Sequence, residues 1–119
     1  MNVLVIGDSC KDIFVYGDID RISPEAPVPV FVPTRVESNG GMAQNTAKNV
    51  EALEMTIYTL TNKDNITKRR YVDNRSGQMV LRVDEHDYCE RIDTVNRYNV
   101  NKNQFHMFPT TVDLDAIII

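Results

Sequence analysis

The stretch GDIDRISPEAPVPVF, from Gly17 to Phe31, constrains the fold of this chain more than any other. Prolines stand at positions 24, 27 and 29, with a further one at 33, in a segment that otherwise alternates like a β-strand. In an extended chain, residues two apart share a face and the edge to which their N–H groups point. Pro27, Pro29 and Pro33 have the same parity, so one edge has lost most of its donors and the strand is excluded from the interior of a sheet. The other edge, through Val28, Val30 and Val32, is intact. Prolines and Phe31 occupy one face and the valines the other, so both faces are apolar. An edge strand of this kind is expected to cover a ligand, a second layer or another subunit.

The segments on either side read as an α/β protein. VLVI (Val3 to Ile6) is a continuous apolar run that suits a parallel strand covered on both faces. Ligands of open α/β sheets collect at the carboxyl ends of such strands, which draws attention to Asp8 and Asp12. For Asp8, a plain turn-capping role is an equal alternative. SNGGMAQNTAKNVEALE reads as a glycine turn running into a helix, with Ala43, Ala47, Val50 and Leu53 on its apolar stripe. Gly40 and Gly41 precede the first turn, where free N–H groups favour an anionic or hydroxylated ligand; taken alone, they suit an ordinary loop better, since glycine is the default turn residue. MTIYTLT (55–61) reads as a second core strand. TKRRYVD and QMVLRVD form a hairpin around NRSG, with Tyr71, Val80 and Val83 on its covered face. From His86 to Asn96 the spacing of Tyr88, Ile92 and Val95 predicts a helix. The Asn-rich run after it reads as loop, and DLDAIII closes on another parallel strand.

The 119 residues suffice for one domain with one core. A net charge of −4 argues against nucleic acid, which needs a basic face. Lys68, Arg69 and Arg70 are the one basic cluster, and a solvated strand end accounts for it. Cys10 and Cys89 fit no metal-ligand spacing and no secreted disulfide framework. The N-terminus resembles neither a signal peptide nor a membrane span, so a cytoplasmic location is expected, with no membrane partner. The cluster Asp84, Glu85, His86 and Asp87 can look like a metal or hydrolytic site. It matches a solvated turn and helix start better, with acids at the N-terminal dipole.

The N-terminal VIGD with Asp12, the tract YGDIDRISPEAPVPV, the segment GGMAQNTAKNV and the pair TKRRYV and QMVLRVD together resemble the N-terminal half of ribokinase-like (PfkB-type) carbohydrate kinases. The nearest likeness is to the heptose-phosphate kinase domain of ADP-heptose synthesis. The resemblance implies an α/β fold: a partial ribokinase-like core, mostly parallel sheet with helices, at about 1–12, 38–62 and 86–119. A small β-sheet lid, at about 13–35 and 67–83, would complete this single N-terminal fragment. It implies that the chain binds a sugar or sugar phosphate through Asp12, Gly40, Gly41 and Asn45, positions matching those that hydrogen-bond sugar hydroxyls in the family. It also implies a homodimer through the lid, or a partner chain that completes the fold. ATP and Mg belong to the complete family.

Three departures qualify the resemblance. Only NKDN separates the core strand from the lid hairpin, where the family has a further strand–helix unit. The family's usual glycine after the GG helix is Glu54 here. Nothing in these residues resembles the family's G-A-G-D segment, and a chain lacking a positioned base loses ~10²–10⁴ in rate. The sequence looks cut off, and no catalytic residue is assigned to it. The expectation is a sugar-kinase-like protein that keeps the sugar side and is inactive alone. The alternative is a non-catalytic dimerisation or partner-binding module derived from the lid.

Overall fold

The computed structural model describes residues 1–94, 98–99, 104–107 and 110–119. It is a mixed α/β structure built on three small sheets. The first sheet is parallel and has the order β10-β1-β4, from Ala116–Ile118, Asn2–Ile6 and Thr56–Leu60. Its central strand β1 carries the apolar run, and alternation sends successive residues to opposite faces. Leu4 and Ile6 pack with Leu60, Phe105 and Leu114. Val3 and Val5 are buried on the other face, where helix α1 (Ala43–Glu51) packs and Ala43 comes against Gly7. The expectation of a strand covered on both faces holds.

The second sheet has the order β3-β2-β5-β6, from Pro29–Met42, Ser9–Ile22, Thr67–Asp73 and Met79–Glu85. The proline-bearing strand β3 lies at its edge, where residues without an N–H are tolerated. Pro24 and Pro27 fall in the connection between β2 and β3 instead of in the strand. Thr34 is the extra residue of a bulge between Tyr16 and Gly17, and Gly17 leaves room for the Phe31 ring, which a Cβ would approach to 2.5 Å. Phe31 can therefore reach across to Tyr71, edge to face at 5.4 Å. The valines are only partly covered: Val30 is half-buried, while Val28 and Val32 are 50% and 54% exposed.

Three sequence expectations fail in detail. Gly40 and Gly41 do not form a turn; they are strand residues paired with Lys11 and Cys10, and the corner into α1 falls on Met42 at φ 55°. Leu53 lies beyond α1 and is exposed, so it does not extend the stripe. Residues 86–94 are not helical; Val95 and Asn96 lie outside the described residues. Strand β6 runs on to Glu85, and ion pairs take the acids that would have opened the helix: Asp84 with Arg82 two residues back on β6, and Glu85 and Asp87 with Arg69 and Lys68 of β5. Beyond this segment a third sheet, β7-β8-β9 (Tyr98–Asn99, Gln104–Met107 and Thr110–Asp113), brings Phe105 onto the parallel sheet beside Tyr58.

Candidate sugar site

The chain leaves the parallel sheet at Gly7 and Asp8 and enters β2 at once, while β3 returns beside it and turns into α1. The two sheets therefore meet at the carboxyl end of β1, where α/β proteins collect ligands. The backbone oxygen of Asp8 accepts the N–H of Ala43 at 3.0 Å and ties the start of α1 to this junction. The Ser9 N–H donates to Asn62 Oδ1 at 2.6 Å and ties the end of β4 to it as well.

Register divides the second sheet into two unlike faces. One carries Ile13, Val15, Phe31, Val36, Tyr71 and Leu81. The other carries Asp12, Phe14 and Tyr16 with Gly41, Arg35, Lys68, Arg70, Arg82 and Asp84. On this polar face Arg70 Nη1 donates to Asp12 Oδ1 at 2.6 Å, both side chains being about one-fifth exposed (21% and 18%). The Arg70 guanidinium also lies over Phe14, and Arg35 lies 4.0 Å above the Tyr16 ring. Arg82 grips Asp84 through Nε and Nη2, each bond 2.7 Å, which holds the Asp84 carboxyl below its ordinary pKa.

The four candidate residues fall into separate places. Asp12 and Gly41 come together: a Cβ on Gly41 would stand 2.6 Å from Asp12 Oδ2 and 2.7 Å from Cys10 Sγ. Gly40 turns to the opposite face, beneath Gln44, where a Cβ would meet Oε1 at 2.0 Å. There it lines a cleft of about 680 Å³ with Lys11, Ser38, Lys48 and Thr67. Asn45 is exposed in the first turn of α1. Burial, reinforced by the Asp12 carboxylate, pushes the Cys10 thiol up, so it is a poor nucleophile.

Sequence reasoning missed Arg70. It read the basic cluster as solvated, yet Lys68, Arg69 and Arg70 each make an ion pair. The available signal was the spacing Lys68-x-Arg70 on a strand, which sets both cations on one face opposite Tyr71. Their pairing with β2, on which Asp12 lies, depends on a parallel contact between distant segments.

No protein-family model matches the chain. It is 33% identical over 123 aligned residues to D-beta-D-heptose 7-phosphate kinase of Bordetella bronchiseptica, a match covering 97% of this chain and 39% of that protein. It is 57% identical over 51 residues to Bifunctional protein HldE of Nitrobacter winogradskyi, covering 43% of this chain and 10% of that one. A solved carbohydrate kinase from Agrobacterium tumefaciens superposes on 72% of this chain and 36% of its own, with 13% identity and a TM-score of 0.37. The chain is a homologue of PfkB-type carbohydrate kinases. Within that class it corresponds to the N-terminal part of the heptose 7-phosphate kinases, and it spans 39% of the length of the Bordetella protein. Among the described residues no helix is long and apolar enough to cross a membrane.

Proposed function

We propose that this chain is the sugar-binding side of a heptose-phosphate-like kinase, with Asp12 and Gly41 at its centre and Gly40 and Asn45 contributing from the adjoining strand and helix. The observation that carries the reading is the contact between Asp12 and Gly41 at the carboxyl end of the parallel sheet. A carboxylate held by Arg70 can accept two sugar hydroxyls, and Gly41, having no side chain, leaves the space in which that carboxylate sits. In this reading β2, β3, β5 and β6 serve as a lid over the sugar. Phosphoryl transfer to the sugar, with ATP and Mg, would need a base and oxyanion donors from outside these 119 residues.

Titration calorimetry with heptose 7-phosphate, ribose and fructose 6-phosphate tests this. Heat is expected with the heptose phosphate, and Asp12→Asn should weaken binding about ten- to a hundredfold, the worth of a charged hydrogen-bond pair. No heat with any of the three would sink the sugar-site reading. A homodimer accompanies the proposal, because Val36 and Leu81 on the apolar face are 61% and 54% exposed. The same observation favours the alternative of a lid-derived assembly module, which predicts a dimer that binds no sugar.

A further inference from the structure

The cleft of about 680 Å³ lies on the reverse of the face that carries Asp12. Lys11 stands in register with Gly40 on one side and Thr67 on the other, so the three share this reverse face where β3 runs into α1. Gln44 and Lys48, one helical turn apart on α1, line the cleft as well. Asp12, Gly41 and Asn45 line none of it. Gly40 has a definite task here. A Cβ at this position would stand 2.8 Å from Gln44 Cβ and closer still to Oε1, so the bare backbone is what seats the Gln44 side chain. A seated amide offers both donors and an acceptor. The charges, however, are unbalanced. Among the described residues neither Lys11 nor Lys48 makes an ion pair, whereas Lys68, Arg69, Arg70 and Arg82 on the same sheet each hold a carboxylate. Two carboxylates are near. Asp64, in the lining, accepts the Glu90 N–H on Oδ2 at 3.0 Å, and Glu85, in register with Thr67, is held by Arg69. The volume is that of a small-molecule site, roughly 300–1,000 Å³.

We propose that this cleft is a second ligand site, for a small hydroxylated and multiply charged oxyanion, either a phosphate ester or a polycarboxylate. Lys11 and Lys48 take its charge, and Gln44, Thr67 and Asp64 take its hydroxyls. Alternation along β2 puts Lys11 and Asp12 on opposite faces, so this site is separate from the sugar site and does not depend on it.

The test is calorimetry of the whole chain with glycerol 3-phosphate and with citrate, against acetate at matched ionic strength. Heat is expected with at least one of the first two and not with acetate, and the anion that binds names the source. Lys11→Gln combined with Lys48→Gln should weaken that binding about tenfold, each exposed lysine contributing about threefold. NMR of the wild type locates the anion even if the variant fails to fold. Signals of the Gln44 side-chain amide and the Thr67 methyl should move, while those of the Arg82 Nε and the Phe14 ring, on the other face, should stay. No heat with either anion, equal heat with acetate, or undiminished binding by the folded variant would overturn the site. So would shifts at Arg82 without shifts at Gln44. None of these outcomes bears on Asp12, whose test is the sugar titration.

Discussion

Single residues at the junction of the sheets carry most of the local constraint. Gly41 has no room for a methyl group beside Asp12 and Cys10. Gly41→Ala is therefore expected to displace the Asp12 carboxylate, lowering stability by roughly 1–3 kcal/mol and reducing heptose phosphate binding, read by urea unfolding and calorimetry. Glu54 shows the opposite case. It follows α1 with φ 59°, a left-handed conformation that costs a residue with a Cβ and suits glycine. The family resemblance marks this same position as a usual glycine, so the sequence already pointed to it. Glu54→Gly should raise stability by about 0.5–1 kcal/mol, and a fall in the urea midpoint would refute the strain argument.

Among the elements, the β5–β6 hairpin is the one whose local chemistry reads most directly. NRSG was legible as its turn because Asp73 can close it and Gly77 can take a positive φ, here 70°. Asp73 Oδ2 accepts bonds from the Ser76 hydroxyl and N–H at 2.7 and 2.8 Å, and these hold its carboxyl below the usual aspartate range. A pKa depressed by folding adds stability above the unfolded value, near 4, and loses it as pH falls through the folded value. Wild type should therefore exceed Asp73→Asn in urea midpoint at pH 6, and the gap should close below about pH 4. The expected helix from His86 misled for a reason of the same kind. Its periodicity was real, but Glu85 and Asp87 found partners on β5 that no local window reveals. The face pattern of the hairpin was half right. Tyr71 and Val83 share the apolar face, but a bulge at Tyr71 puts Leu81, not Val80, in register with Tyr71.

The whole molecule is long for its size. Its radius of gyration is 19.4 Å and it measures 63 × 30 × 20 Å; a compact chain of this length would have a radius near ~13–14 Å. The second sheet leaves Val36 and Leu81 of its apolar face exposed. A chain with so exposed a sheet gains by pairing that face with a second copy, and C₂ symmetry would set Val36 and Leu81 against their mates. Light scattering at micromolar concentration should give twice the 13.6 kDa of one chain, and Val36→Glu with Leu81→Glu should give a monomer. A monomeric wild type would count against the dimer while leaving the sugar site untouched.

By itself, the sequence determined the elements whose causes are local. Apolar runs made β1 and β4, prolines sent β3 to an edge, turn residues closed the β5–β6 hairpin, and the spacing of Ala43, Ala47 and Val50 gave α1. It also carried the resemblance that led to Asp12 and the paired glycines. Tertiary structure alone decided what meets what. The parallel pairing of β2 with β5 brings Arg70 from far along the chain onto Asp12. The alternation of β3 sends Gly40 and Gly41 to opposite faces instead of into one turn. Local propensity acts within a few residues, whereas these contacts follow from strand register, which is set by the burial of both sheets at once.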